Sequence, residues 1–177
     1  MNYFSTFCII LTLIGCVKNN EIKNNEYNKI IVHKINNDCW GICNEYSVEL
    51  TNENTFKLKI DNFYKTDSIS VQNFIEGNPK TIDSTKIGSF SGKLNQIDFE
   101  RISEKINTIS FPTIKYESND CCDGITKRII YYYDSDNKSR TLESMIFPEN
   151  IENLIAEIDK IVYQNKFKRE STFYIEK

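Results

Sequence analysis

Histidine is nearly missing from this chain of 177 residues, where His33 stands alone. That removes metal sites built from several imidazoles and any mechanism that passes a proton between two of them. Cations are not in excess either. Lys and Arg total 22 against 25 Asp and Glu, a net charge of −3, which argues against a nucleic-acid scaffold because phosphate binding needs clustered Lys and Arg. No nucleic-acid partner is expected. Nucleophile-elbow, phosphate-loop, dinucleotide and zinc-protease motifs are absent, and so is Cys-x-x-Cys. No catalytic residue, metal or cofactor is therefore assigned. What is present fits a folded globular chain: 40% hydrophobic and 27% charged residues, in a length suited to one domain plus a short appendage.

Residues 1–15 carry no charged side chain, and Phe4 to Ile14 are almost unbroken apolar sequence. This is the length of a signal-peptide core and too short for the roughly 20 residues that span a bilayer. The run ends in Leu13-Ile14-Gly15-Cys16, which resembles the bacterial lipobox, an apolar pair and a small residue before a cysteine. The resemblance implies cleavage before Cys16, diacylglycerol on its thiol and usually an acylated new amino terminus. Several buried acyl chains, at roughly 0.8 kcal/mol per methylene, hold a protein on a membrane durably where one chain is marginal. The n-region departs from the pattern in having no Lys or Arg. The expected division is a signal peptide over 1–15, a polar flexible tether over 16–28 and a single domain over 29–177.

With Cys8 in the signal and Cys16 lipidated, Cys39, Cys43, Cys121 and Cys122 remain. Export makes disulfides the expected state, and four cysteines allow three pairings. Gly41 lets a turn bring Cys39 and Cys43 within bonding distance. Adjacent Cys121 and Cys122 have Cα atoms about 3.8 Å apart, below the usual disulfide range, so a vicinal bridge is strained. Two bridges between the loops avoid that strain if the loops are neighbours. A zinc site from all four is the sharper alternative, but its spacing is poor.

Period-2 alternation predicts strands at Lys29 to Ile35, Tyr46 to Thr51 and Phe56 to Asp61, the last two joined as a hairpin by Asn52-Glu53-Asn54. Gly77-Asn78-Pro79 marks a turn, and Thr85 to Lys93 reads as a further strand. The period then changes. Phe99, Ile102, Ile106 and Ile109 recur at helical spacing, with Asn95 as N-cap, Asp98 at N3, a staple of Leu94 on Phe99, and Pro112 closing the segment. Ile125 to Tyr133 and Arg140 to Phe147 read as a second hairpin around Asp134-Ser135-Asp136-Asn137. A helix from Pro148 carries the stripe Ile151, Leu154, Ile155, Ile158, Ile161 and Val162. Lys166 to Arg169 reads as its solvated end, and Ser171 to Ile175 as a short strand or a frayed terminus. The fold expected is α+β, an antiparallel sheet with two amphipathic helices on one face, in the order strands, helix, hairpin, helix.

The segment Asp38-Cys39-Trp40-Gly41-Ile42-Cys43-Asn44-Glu45-Tyr46 is similar to the opening of a domain-of-unknown-function family of Bacteroidota lipoproteins with the signature Cys-Phe-Gly-x-Cys-Pro-x-Tyr. Cys39, Gly41, Cys43 and Tyr46 match, Trp40 replaces the aromatic, and Asn44 replaces the proline. Tyr116 and Asp123 fall where that family carries a Tyr before an Asp, and the likeness covers roughly residues 29–163. It implies a lipid-anchored exported domain, a Cys39–Cys43 pairing if the family's two usual cysteines bond to each other, and no known activity. Cys121 and Cys122 are additions to the pattern.

Few constellations here suggest chemistry. Asp120, Asp123 and Tyr131-Tyr132-Tyr133 could line a ligand site, but Asp123-Gly124 reads more simply as a turn and the tyrosines as a half-buried strand. Asp134-x-Asp136 opens like a calcium loop, yet position 6 is Ser139 and position 12 is Met145, which leaves a hairpin turn. His33 reads as a cross-strand packing residue. The expected function is that of a lipid-anchored envelope lipoprotein whose domain binds a protein or other envelope partner, with Trp40, Tyr116 and Asp123 as the candidate surface. The rival is an envelope hydrolase or metal/thiol protein using Asp120, Asp123, Tyr116 and the cysteines. A third possibility is a structural lipoprotein whose edge strand pairs with another chain.

Overall fold

The structure is a computed structural model that describes residues 27–36, 43–65, 81–118, 124–134, 136 and 138–177. Its centre is β1 (Tyr27–Ile35), which pairs antiparallel with β2 (Glu45–Thr51) on one side and β5 (Thr126–Tyr133) on the other. β3 (Phe56–Asn62) and β4 (Gly88–Gly92) extend the sheet beyond β2, and β6 (Lys138–Ser144) lies beyond β5. A three-residue strand, β7 (Lys168–Glu170), closes the β4 side, giving the order β6-β5-β1-β2-β3-β4-β7. The helices are α1 (Gln96–Thr108) and α2 (Glu149–Gln164).

Alternation along the strands divides the side chains between two faces. Ile30, Val32, Tyr46, Val48, Leu50, Leu58, Ile129, Tyr131 and Leu142 join Ile102 and Ile106 of α1 and the six-residue stripe of α2 in one buried cluster. Fully burying an aliphatic side chain of this kind stabilises by about 1.5–3 kcal/mol, so α2 is held chiefly by its apolar stripe. The other face has a small cluster of its own: Ile31, Ile130 and Ile175, flanked by Tyr132 and Phe173.

Local chemistry sets the helix ends. The side chain of Asn95 accepts from the Asp98 amide at 3.0 Å, and Asp98 accepts in return from the Asn95 side chain at 2.5 Å. α1 stops at Thr108, with Ile109 as C-cap, ahead of Pro112. Pro148 begins α2 without a side-chain cap. Glu152 compensates, accepting from the Phe147 amide at 2.8 Å and from Lys127 of β5 at 2.6 Å.

The expected α+β arrangement, strands then helix, hairpin and helix with one helix-bearing face, is corrected. The molecule is dominated by one seven-stranded antiparallel sheet. Its chain does not finish at α2: β7 pairs with β4, and Ile175 then covers the face that the sequence left to solvent. Lys168 and Arg169 are accordingly not the solvated end of a helix, and the last strand precedes Ser171–Ile175. Arg169 explains the difference, because its guanidinium donates to the carbonyls of Ile87 (2.8 Å) and Thr85 (2.7 Å) and lies 5.0 Å from the Phe90 ring. Gly88, at φ +138°, leaves room for it, since a Cβ there would come within 2.7 Å of Arg169 Nη1. The expected tether also gives way earlier: Tyr27 and Asn28 belong to β1, and Tyr27 is buried.

Candidate functional site

Cys43 is disulfide-bonded and sits just before β2. Cys16, Cys39, Cys121, Cys122, Trp40, Asp120 and Asp123 lie outside the described residues, as do the signal segment and the turn at Gly77-Asn78-Pro79. Tyr116 is described, and it is tied down. Its hydroxyl donates to the Glu143 carbonyl (3.2 Å) and accepts from the Glu143 amide (2.9 Å), while its ring packs 5.4 Å from Phe147. Arg140 donates to the carbonyls of Phe111 (3.0 Å) and Ile114 (2.6 Å). These bonds lay the segment after α1 along the β6 edge and occupy backbone groups that an edge strand would otherwise offer to another chain.

Beside Cys43 lies a polar cluster that the sequence did not announce. Asp159 of α2 accepts from Tyr46 Oη at 2.5 Å and from Lys34 Nζ at 3.0 and 3.1 Å. Asn44 donates to Tyr163 Oη at 2.8 Å and accepts from the Tyr64 amide at 2.9 Å. Alternation places Lys34 and Tyr46 opposite each other on β1 and β2. Asp159 and Tyr163 share a face of α2 because they are four residues apart. That spacing, bordering an apolar stripe, was the available sequence signal for both. Lys34 and Asn44 gave none, since each lies in or beside an ordinary alternating strand.

Electrostatically the cluster is a closed set. Tyr46 is 1% exposed, and burial, then the neighbouring Asp159 carboxylate, raises its hydroxyl well above the ordinary tyrosine value. It keeps its proton and acts as a donor. Asp159 is held between that phenol and an ammonium. The groups satisfy one another and cross-link α2 to β1 and β2 at the base of the Cys43 segment. A charge-assisted pair this sheltered is worth more than a surface ion pair, whose value is about 0–1 kcal/mol.

His33 lies on the opposite face. It is 3% exposed, its Nδ1 is 2.8 Å from Ser47 Oγ, and its Nε2 has no hydrogen-bond partner. Cross-strand packing therefore accounts for only part of its position. Among the described residues no three His, Cys, Asp or Glu side chains come together in a way that could hold a metal ion. No helix among them is long and apolar enough to cross a membrane. No protein-family model, curated protein or solved structure matches the chain.

Proposed function

We propose that this chain is a lipid-anchored lipoprotein of the cell envelope whose folded part is a non-catalytic module that binds an envelope protein. The observation that carries the reading is the uncharged run that ends in Leu13-Ile14-Gly15-Cys16. A small residue followed by cysteine falls where a signal core of that length should end. The bonded state of Cys43 supports it, because disulfides persist in exported proteins and are rare among reduced cytosolic ones. Support for binding over catalysis comes from the Lys34–Asp159–Tyr46–Asn44–Tyr163 cluster, whose polar atoms are engaged with one another. Tyr46 holds its proton, and the Asp159 carboxylate already carries two donors.

Metabolic labelling with a clickable palmitate analogue, followed by fractionation, tests the anchor. The wild-type chain should take up label and sediment with membranes, while Cys16→Ser should do neither. A Cys16→Ser chain that stays labelled and membrane-bound overturns the lipid anchor. Crosslinking and affinity capture from intact envelopes then test the binding module. Recovery of a specific envelope protein supports it, and purified protein that turns over a substrate while capturing nothing reverses it.

A further inference from the structure

We infer that residues 173–177 form a strap over the second face of the sheet, released on acidification by His33 beneath it. Three contacts hold the strap. Ile175, only 4% exposed, inserts against Ile31 and Ile130, with Phe173 and Tyr132 packed at the margin. Glu176 reaches Lys29 Nζ at 3.6 Å, and it also interacts with Tyr132. Lys29, Ile31 and His33 are alternate residues of β1, so all three project on this face. His33 is thus roofed by the segment that the neighbouring contacts secure.

The surroundings of His33 favour the uncharged ring. Its Nε2 is buried without a hydrogen-bond partner, which is tolerable for a neutral imidazole and costly for a cation. Arg128 stands directly opposite on β5, and Lys177 approaches from the strap. On the acid side are Glu176 and its backbone, which favour protonation but are outweighed by burial. The other charges of this face are already engaged. Glu143 of β6 is ion-paired to Arg128, Glu49 of β2 is 2.8 Å from Lys57, and Lys59 of β3 is 3.0 Å from Asp61. Glu45 accepts from Asn62, and the β2 partner directly opposite His33 is the uncharged Ser47.

Protonation places a third cation beside Arg128 and Lys177 in a buried site, where the pull of Glu176 and its backbone does not offset the lost solvation. Only the open strap lets water solvate that charge. The closed state therefore holds His33 below its ordinary value of 6.5, and it is most stable above that pH. Closure weakens as pH falls through the window between the ordinary and the depressed value, by up to about tenfold per pH unit for one linked proton. By reciprocity, opening the strap must raise the affinity of His33 for its proton. The charge that moves is local, the element it biases begins three residues beyond the end of β7, and the exposed face is apolar at its centre.

His33 is the sole histidine, so its ring signals can be followed by NMR in the full chain without assignment. The wild-type ring should titrate below the ordinary value, and a chain lacking residues 173–177 should titrate higher, near it. Hydrogen exchange supplies the second reading. After correction for intrinsic rates, protection of the 171–177 peptide should fall as pH drops in the wild type and stay level in His33→Gln. Ile175→Asp gives the open-strap baseline at every pH. Equal titration of His33 with and without the strap overturns the inference, as does protection in the wild type that does not change with pH.

Discussion

Tyr46 of β2 donates a 2.5 Å hydrogen bond to Asp159 of α2, joining residues 113 positions apart in the chain. The bond is charge-assisted, and hydrogen bonds to charged groups contribute about 1.5–3 kcal/mol. Tyr46→Phe preserves the buried ring, and Asp159 keeps Lys34 and some access to water, its side chain being 23% exposed. A loss of about 1–2 kcal/mol in denaturant unfolding is expected. Lys34→Met should weaken the same unit, and the double variant should cost less than the sum of the two because both donors share one carboxylate. Strict additivity would show that the three groups do not act together.

Asn54 makes a second cross-link, between the β2–β3 turn and the approach to α1. Its side-chain amide donates to the Leu94 carbonyl (3.0 Å) and accepts from the Leu94 amide (2.9 Å), while its backbone sits at φ +62°. Asn54→Gly removes both bonds but tolerates that backbone, so about 1–3 kcal/mol should be lost at 0.5–1.5 kcal/mol per bond. Asn54→Ala adds the left-handed penalty of about 1–2 kcal/mol. Thermal melts of the pair separate the two effects: equal melting temperatures for the glycine and alanine variants would mean the backbone is not strained there.

These two links show where sequence reading stops. The hairpin around Asn52–Asn54, the cap at Asn95 and the stripe from Ile151 to Val162 are legible because each rests on residues within a few positions of one another. The partner of Asn54 is forty residues away, and no periodicity carries that information. β7 was missed for the same reason. Lys168, Arg169 and Glu170 lack strand character, and they pair with β4 because Arg169 is anchored on the Thr85 and Ile87 carbonyls. Asp159 borders the apolar stripe of α2, and its two donors arrive from other elements, so no local pattern announces its role. The central neighbours β1 and β5 are separated by most of the chain, so strand order lay beyond reach while strand existence did not.

The bond at Cys43 can be mapped from tryptic fragments. Cys39 and Cys43 share the peptide from Ile35 to Lys57, whereas Cys121 and Cys122 share the peptide from Tyr116 to Lys127. The Bacteroidota-like signature implies a Cys39–Cys43 pairing, and we propose it for this chain. A non-reduced digest should then give the first peptide alone, lighter by two hydrogens. A species joining the two peptides would assign Cys43 to the second pair and defeat the proposal.

Alkali should unfold the protein in a window set by two tyrosines of β5. Burial first, then the neighbouring Tyr27 and Tyr133, pushes Tyr131 up to about 12. Tyr132 is also pushed up to about 12, by burial and then by its hydrogen bond to the Glu176 carboxylate. The sign follows from the direction. The folded state retains these protons where the unfolded chain releases them near pH 10, so their contribution to stability is complete below about 10 and is lost as pH rises toward 12. Tyr131 stacks 4.7 Å from Phe111 and 5.7 Å from Tyr133, and a phenolate in that stack would lack solvation. Tyr131→Phe should therefore make stability fall less steeply above pH 10 while leaving the neutral-pH fold in place. Phenolate absorbance in the near ultraviolet checks this directly. The native wild-type chain should show at least three tyrosines that ionise late, Tyr46 along with Tyr131 and Tyr132, the variant should lose one of them, and a native titration that finishes near pH 10 would refute the assignment.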